Sequence, residues 1–136
     1  MSSATHRLLY DAQCRFCRWS LGWVLRWDRH WRLAPVALQD ERARELLGAM
    51  PETERMASWH LVGPDGSVAS AGAAAAPLLR LLPGGGPLAA LTGRFPGAVE
   101  RGYRWVVERR GAFGRRLSQR GLVRADAVIA ERSAPT

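Results

Sequence analysis

The chain has 136 residues, a formal charge of +8 at neutral pH and 47% apolar residues. This length suits one domain with its own hydrophobic core, so we predict a single domain over residues 1–136 with flexible tails at 1–5 and 131–136. No apolar run approaches the ~20 residues of a membrane span, so we expect no transmembrane segment.

The first predicted strand covers residues 7–10 and is apolar on both faces, as expected for a strand inside a sheet. Asp11 follows this strand directly. Its carboxylate is either a proton acceptor and electrostatic tuner for the cysteines that follow, or a cap that accepts hydrogen bonds from backbone N–H groups of the turn. The two roles are compatible, so Asp11 is a candidate site residue with the cap as the favoured role.

A helical pattern begins near Cys14 and runs to about Arg29, and its first turn carries Cys14 and Cys17, the only two cysteines. Unpaired N–H groups and the helix dipole favour a thiolate at a helix N-terminus, so the pKa of Cys14 should be depressed. Arg15 and Arg18 should lower it further. Helical spacing turns Cys17 towards the core and Cys14 outwards. We therefore predict a redox dithiol in which Cys14 attacks a disulfide and Cys17 resolves the mixed disulfide.

Tryptophans recur every four residues along this helix and just beyond it. The spacing predicts that Trp19, Trp23, Trp27 and Trp31 are mostly core residues. Trp19 lies near the arginine-rich side of the helix, next to Cys14. It is either a platform for a substrate or, more commonly for such a residue, an aromatic packed at the rim of the core.

Three other interpretations of the cysteine pair stay open. A zinc site needs four ligands, and the further nitrogen ligands (His6, His30 and His60) are scattered without metal-binding spacing. A structural disulfide requires an oxidising compartment, and the sequence shows no signal peptide. Two inert buried thiols are the third interpretation. The strand–CxxC–helix context favours redox chemistry, for which no metal or organic cofactor is required.

The central part of the chain predicts strands and helices in alternation. We expect the second strand to run parallel to the first through a right-handed crossover, with Pro35 marking its end or a sheet edge. His60 is expected to be a partly exposed strand histidine rather than a catalytic base. The predicted elements are a strand over 31–36, a helix over 38–47, a polar loop over 51–55, strands over 57–62 and 67–70, and a helix over 72–82.

The C-terminal part is predicted to be helical and rich in arginine. A short helical turn covers 88–91, and a longer helix runs from Pro96 to about Arg120, with Gly111 and Gly114 as weak points. Its arginines form either a solvated face or a docking surface for an anionic partner, although no nucleic-acid-binding motif is present. They are Arg101, Arg104, Arg109, Arg115, Arg116, Arg120 and Arg124.

The segment Tyr10-Asp11-x-x-Cys14-x-Phe16-Cys17 resembles the opening motif of the DCC family of thiol-disulfide oxidoreductase-like proteins. Later stretches are also similar to family landmarks. These are Asp65-Gly66 in a hairpin, Gly72 to Ala75, Arg94-Phe95-Pro96, Tyr103 and Arg109-Arg110. The resemblance covers most of the chain and implies a thioredoxin-like fold with protein-disulfide reductase-type activity.

Two positions depart from the pattern that the resemblance implies. Ala12 stands where the family usually has glycine, so we expect strain if that position needs a positive φ. Thioredoxins proper place a cis-proline just before the third strand, where it helps to dock an extended substrate. Here Met56-Ala57 precedes that strand and Pro51 lies further upstream, which argues against general protein-disulfide reduction.

The element order and the resemblance together predict an α/β, thioredoxin-like three-layer sandwich (βαβαββα) with additional C-terminal helices over 96–124. The expected partners are a disulfide-containing protein or small-molecule substrate and a cellular dithiol reductant. Two cysteines without a targeting segment favour the cytoplasm. The alternative function is a non-catalytic binding module that docks an acidic partner (nucleic acid, anionic membrane or protein) through the arginine-rich helix. A metal site completed by a partner chain also stays open.

Overall fold

Four short strands form the sheet on which the rest of the chain is built. In a computed structural model, which describes residues 5–133, they are His6–Tyr10 (β1), Leu33–Ala37 (β2), His60–Val62 (β3) and Val68–Ser70 (β4). Their order is β2-β1-β3-β4, with β1 and β2 parallel and the other two pairs antiparallel. The predicted α/β thioredoxin-like sheet is confirmed, and Pro35 lies in the edge strand β2 as its missing N–H requires.

Eight α-helices and one 3₁₀ turn, Ala71–Ala74, accompany the sheet in the described part of the chain. None of these helices is long and apolar enough to cross a membrane. The α-helices are Arg15–Trp27 (α1), Glu41–Leu47 (α2), Glu52–Ala57 (α3), Ala75–Leu81 (α4), Gly86–Arg94 (α5), Pro96–Glu108 (α6), Arg110–Arg116 (α7) and Gln119–Ser133 (α8).

The side chains of β1 alternate between two hydrophobic cores, one on each face of the sheet. Leu8 belongs to the first core, where it packs with side chains of α1, α4 and α8. Leu9 belongs to the second core, which α2 and its flanking residues complete. Because neighbouring residues of a strand point to opposite faces, this alternation gives the three layers that the element order predicted.

The segment predicted as a polar loop over 51–55 is largely the helix α3. Pro51 precedes it, and Glu52 and Glu54 lie in its first turn, where carboxylates are stabilised by the positive end of the helix dipole. Met56 packs against the second core. The predicted strand over 57–62 is shortened as a result, and β3 begins at His60.

The single long helix predicted from Pro96 to about Arg120 is wrong. Arg109, at φ −106° and ψ 5°, separates α6 from α7, and the extended Leu117 separates α7 from α8. The two glycines predicted as weak points lie inside α7, whose short length agrees with the low helix propensity of glycine. The short turn predicted over 88–91 is the longer helix α5.

The flexible tail predicted over 131–136 is wrong for residues 131–133, which end α8. The Arg132 guanidinium pairs with the buried Asp28 carboxylate at 3.0 Å and donates to the Leu25 and Asp28 carbonyls at 2.6 Å each. At the other tail, Thr5 donates its N–H to the Arg32 carbonyl. Residues 1–4 and 134–136 lie outside the described residues.

Gly22, in the middle of α1, lets α8 pack closely against this helix. A Cβ at Gly22 would lie 2.7 Å from the Cβ of Ala125 in α8. Only glycine fits so close an approach, because real Cβ atoms do not come within 3.0 Å of such neighbours. α8 therefore covers the side of α1 that carries Gly22.

The prediction that the four tryptophans are mostly core residues is wrong, because none of them belongs to either hydrophobic core. Trp23 is 55% exposed and Trp27 is 37% exposed, while Leu21 and Leu25 are the α1 residues buried in the first core. Trp27 lies at the surface and donates its indole N–H to the Pro83 carbonyl at 2.8 Å. The reason is that α8 and the sheet both pack on α1, which leaves these indoles at its flank.

Candidate functional site

The two cysteines lie at the junction of β1 and α1, where Cys14 is the N-cap of the helix. Its Sγ accepts a hydrogen bond from the Cys17 N–H at 3.2 Å. A side chain at this position normally satisfies one of the orphan N–H groups of the first turn. In this protein the capping atom is a thiol sulfur, so the hydrogen bond that begins the helix also stabilises a thiolate.

The two thiols have opposite acidities. The pKa of Cys14 is lowered to about 6, first because the Cys17 thiol donates a hydrogen bond to its sulfur, and then through the Cys17 N–H and the positive charge of Arg110. Burial and the Asp11 carboxylate oppose this shift. The pKa of Cys17 is raised by the same hydrogen bond, by burial and by the Cys14 thiolate. Near neutral pH the pair is therefore a Cys14 thiolate beside a Cys17 thiol.

Arg15 and Arg18, predicted to stabilise the Cys14 thiolate, make other contacts. Arg15 donates to the Gly114 carbonyl at 3.1 Å, and Arg18 pairs with Asp126 of α8 at 3.5 Å. The arginine whose charge acts on both thiols is Arg110, at the start of α7. The sequence pattern missed this residue as an electrostatic partner because it lies far from Cys17 along the chain.

Asp11 holds the turn between β1 and the cysteines. Its Oδ1 accepts from the Gln13 N–H at 3.0 Å and from the Gln39 side-chain amide at 2.9 Å, and the Gln39 oxygen accepts from the Ala12 N–H at 3.1 Å. The contacts are those of the predicted cap. The expected strain at Ala12 does not arise, because the only non-glycine residues with positive φ within 5–133 are Trp31 and Ala71.

An apolar cavity of about 380 Å³ opens beside Cys17, between α1, the residues before β3, and α6. Pockets that hold small ligands begin at roughly 300 Å³ and are mostly apolar with a few polar groups. Its polar lining includes Asp11, Ser20, Ser58 and Arg110. The other lining residues are Leu8, Tyr10, Phe16, Cys17, Leu21, Met56, Trp59, Val99, Gly102, Tyr103, Val106 and Val107.

Tyr103 of α6 covers the chain segment that enters β3. Its hydroxyl oxygen accepts a hydrogen bond from the Trp59 N–H at 3.2 Å, and its ring stacks on the Trp59 indole with centroids 5.9 Å apart and planes at 21°. Trp59 also donates its indole N–H to the Ala71 carbonyl at 2.9 Å. The backbone next to the dithiol is thus paired within the chain, and α6 is joined to the sheet.

Cys14 lines a second, shallower and more polar groove on the outer side of the turn. Asp11 and Arg110 line both the groove and the cavity, and they mark the boundary between the two spaces. The remaining groove residues are Gln13, Cys14, Arg15, Gly111, Gly114 and Arg115. The nucleophile candidate therefore faces a basic groove, and its partner thiol faces an apolar cavity.

His60 does not join the dithiol. His60, expected to be partly exposed, is fully buried, and its ring nitrogens contact the Ser70 hydroxyl at 2.6 Å and the Arg55 carbonyl at 2.9 Å. Burial lowers the pKa of His60. Because it lies two residues before Val62 of the second core, its side chain is on the face of the sheet opposite α1. No group of three or more potential metal ligands occurs within residues 5–133.

The arginines expected on one C-terminal helix are spread over α6, α7 and α8, with Arg109 between α6 and α7. Arg104 pairs with Glu100 at 3.5 Å, and the Arg109 guanidinium stacks over the Trp105 ring at 4.4 Å. Trp19 is half-buried between Phe16 and Trp23, with ring centroids 6.1 and 6.3 Å away. It packs at the rim, as the commoner alternative predicted.

Two residues of the site were noted in the sequence without a role. Tyr103 and Arg110 both belong to stretches similar to family landmarks, and that resemblance is the one signal that pointed to them. Trp59 and Ser58 had no signal, because periodicity marked them only as strand residues.

A family model described as DCC1-like thiol-disulfide oxidoreductase matches residues 8–116 of the chain. The matched stretch contains the dithiol, the cavity and the basic groove, and it ends before α8. A search of curated proteins and a search of solved structures found no match.

Proposed function

The chain belongs to the DCC1-like thiol-disulfide oxidoreductase family, and on that premise we propose that Cys14 and Cys17 form its redox-active dithiol. The observation that carries the proposal is the hydrogen bonding at Cys14. The Cys14 sulfur accepts from the Cys17 N–H at 3.2 Å, and the neighbouring Cys17 thiol lowers its pKa, so the first turn of α1 holds the reactive thiolate and the resolving thiol together. A depressed pKa at such a position is typical of nucleophilic cysteines.

The reaction is thiol–disulfide exchange in two steps. The Cys14 thiolate attacks one sulfur of a substrate disulfide, so a mixed disulfide forms and the other substrate sulfur leaves as a thiolate. Cys17 then gives up its proton and attacks the Cys14 sulfur, which forms the Cys14–Cys17 disulfide and releases the second substrate thiol. Two electrons pass from the dithiol to the substrate, and a cellular dithiol reductant regenerates the protein.

Asp11 is the proposed proton acceptor for Cys17 as well as the cap of the turn. Its negative charge raises the pKa of both thiols, and it lines the apolar cavity together with Cys17. Its hydrogen bonds to Gln13 and Gln39 hold the carboxylate in place. A fixed carboxylate beside a thiol that must lose its proton in the second step suits general base catalysis.

We place this cycle in the reductase direction and in a reducing cytoplasm, where dithiol reductants are available. The low pKa of Cys14 limits how strongly reducing the protein can be. A stabilised thiolate favours the reduced form and makes the disulfide form more oxidising. Direction is therefore a measurable part of the proposal.

A redox titration of the Cys14/Cys17 pair across a glutathione series tests this function, with thiol alkylation and mass spectrometry as the readout. We expect one reversible two-electron transition whose midpoint gives the direction. The Cys17→Ser variant should accumulate a mixed disulfide with glutathione, and Cys14→Ser should form neither product. Two thiols that stay reduced across the whole series would overturn the proposal.

A further inference from the structure

We propose that the substrate is a small disulfide with an apolar body and an anionic group, and that the apolar cavity beside Cys17 binds that body. This inference rests on the proposed function and specifies its substrate class. It selects one of the two classes expected from the sequence, the small molecule rather than the protein.

The first argument is the position and lining of the cavity. A space of about 380 Å³ is large for a single side chain and within the range that holds small ligands. Its walls are aliphatic and aromatic, with Val99, Val106 and Val107 on the α6 side and Leu8 on the sheet side. Cys17 forms part of the wall, so a ligand in the cavity lies against the dithiol.

The second argument is that the backbone beside the dithiol is not free to bind an extended peptide. A peptide that pairs with a strand needs unpaired N–H and C=O groups on that strand. The Trp59 N–H, which would be one of them, already donates to the Tyr103 hydroxyl at 3.2 Å. The stacked ring of Tyr103 covers the same segment. Helix α6 therefore lies where an extended peptide would pair with the chain, and the apolar cavity remains beside it.

The third argument is the charge at the boundary between cavity and groove. Arg110 lines both spaces, and within residues 5–133 its guanidinium makes no hydrogen bond or ion pair. Arg115 lies in the same groove. The one carboxylate there, Asp11, is held by Gln13 and Gln39. A carboxylate or other anion on the substrate would find its charge partner in Arg110.

The chemistry of the two steps is that of the proposed function. The substrate lies with its apolar body in the cavity and its disulfide at the Cys14 thiolate, and it leaves as two thiols, or as one dithiol if the disulfide is cyclic. The dithiol of the protein supplies both electrons and becomes the Cys14–Cys17 disulfide. The cellular dithiol reductant of the proposed function then returns this disulfide to the dithiol.

Binding is tested without any redox step, with octanoate as the probe and the Cys14→Ser protein as the receptor in calorimetry. Gly102 of α6 lines the cavity, and a Cβ there meets no atom within 4 Å. We expect Gly102→Leu to occupy the cavity and weaken octanoate binding by at least about tenfold, as the loss of apolar pocket contacts does. Val106→Phe is the second variant if Gly102→Leu fails to fold.

Gly97→Leu is the matched control. Gly97 is also an exposed glycine of α6 with no atom within 4 Å of a built Cβ, but it does not line the cavity. This variant should bind octanoate like the parent protein. Uncharged octanol should bind less tightly than octanoate, and Arg110→Gln should remove that difference. Failure of octanoate to bind, or equal binding by Gly102→Leu and Gly97→Leu, would overturn the inference.

Turnover assays separate this inference from the proposed function. Lipoic acid (an anionic cyclic disulfide with an aliphatic chain) should be reduced faster than hydroxyethyl disulfide, and the disulfides of insulin should react most slowly. Equal rates for all three would reject the substrate class and leave the dithiol function standing. No reduction of any of them would reject the function itself, whatever octanoate binding shows.

Discussion

Each end of α1 is approached by an arginine from the C-terminal helices, and the two arginines are used in different ways. At the C-terminal end, Arg132 is almost fully buried, with its side chain 5% exposed, and it pairs with a completely buried Asp28. At the N-terminal end, Arg110 lies half-buried beside Cys14 and Cys17 and has no ion-pair partner within residues 5–133.

The contacts of Arg132 satisfy groups that a helix end otherwise leaves unpaired. Its guanidinium donates to the Leu25 and Asp28 carbonyls and stacks over the Trp31 ring at 4.2 Å. The Asp28 carboxylate accepts from the Arg32 and Leu33 N–H groups at 3.1 and 2.9 Å. A cation at a helix C-terminus is also favoured by the dipole. This charge is fully compensated, so it stabilises the fold without chemistry of its own.

Arg110 keeps its charge available, which is what a site requires. An uncompensated cation lowers the pKa of a neighbouring thiol, and it can bind an anionic substrate. The same residue type, supplied by the same part of the chain, is thus paired at one end of α1 and without an ion-pair partner at the other within residues 5–133. Arg110 lies within the stretch that matches the family and Arg132 lies beyond it.

The largest expected effect on stability comes from removing the Arg132–Asp28 ion pair at the C-terminal end of α1. Arg132→Met should lower the free energy of unfolding by about 3–5 kcal/mol, because it leaves the Asp28 carboxylate buried without its cation. Urea denaturation measures this loss. The pKa of Cys14, followed by alkylation rate against pH, should stay near 6.

Two variants control for loss of a charge as such. Arg124→Met removes an exposed arginine of the same helix and should change stability by less than about 0.5 kcal/mol. The pair Asp28→Asn with Arg132→Met should lose less than Arg132→Met alone, since both charges are removed together. If Arg132→Met lowered the free energy of unfolding no more than Arg124→Met, the buried Arg132–Asp28 pair would not be what holds α8 against α1.

A second, smaller loss is expected where α8 crosses α1. Gly22→Ala would place its Cβ 2.7 Å from the Ala125 Cβ, and overpacking of this kind costs about 1–3 kcal/mol. Denaturation of Gly102→Ala is the comparison, because that helical glycine has open space around it and should gain up to ~1 kcal/mol from helix propensity. Similar stability for the two variants would mean that α8 shifts easily on α1.

At the N-terminal end of α1, removing the charge of Arg110 should change the pKa of Cys14 more than it changes stability. Below pH 6, where Cys14 is protonated, Arg110→Gln should leave the unfolding free energy nearly unchanged, and it should raise the pKa of Cys14 above its value of about 6, because one of the positive charges that favour the thiolate is gone. Iodoacetamide reaction rates across pH measure this shift. Arg109→Gln, which removes the neighbouring arginine over Trp105, should leave the alkylation profile in place. An unchanged profile for Arg110→Gln would deny it an electrostatic role.

The smallest effect is a pH dependence of stability in the reduced protein. Cys14 loses its proton near pH 6 when folded but only near 9.0 when its pKa is ordinary, so between these values the unfolded chain binds more protons. The free energy of unfolding should therefore rise from pH 6 to 9 through this group and lose the contribution as pH falls to 6. The pKa of Cys17 is raised in the folded protein, so above pH 9 the folded chain binds more protons than the unfolded chain. Through Cys17, the free energy of unfolding should therefore fall as pH rises above 9.

Urea denaturation of the reduced parent protein and of Cys14→Ser between pH 6 and 9 isolates the contribution of Cys14 to the free energy of unfolding. The difference between the two proteins should grow as pH rises from 6 to 9. A constant difference would show that the thiolate of Cys14 is not stabilised in the folded state, and it would also remove the basis for the proposed nucleophile.

Much of the site follows from local sequence. The change from an apolar strand run to helical periodicity at Cys14 places both thiols at a helix N-terminus, and this placement needs no knowledge of distant residues. Asp11 as a cap follows from the same turn. The order of strands and helices also predicts the parallel pair and the hairpin, because short connections and chain direction leave few alternatives.

The predictions from sequence were wrong where a side chain has several possible partners in the folded protein. Arg15 and Arg18 are next to the cysteines in sequence, yet they donate to Gly114 and pair with Asp126. His60 reads as an ordinary strand residue until Ser70 and Arg55 enclose it. Periodicity alone could not separate α6, α7 and α8, since the breaks at Arg109 and Leu117 depend on how these helices pack.

The sequence by itself determined the dithiol, its position at the start of α1 and the three-layer α/β architecture, because these depend on local pattern and chain order. Tertiary structure decided which charges act on the thiols, that α6 covers the entry to β3 with Tyr103, and that a cavity rather than an open strand lies beside Cys17. Those features arise from contacts between residues far apart in the chain, and their geometry exists only once the helices pack.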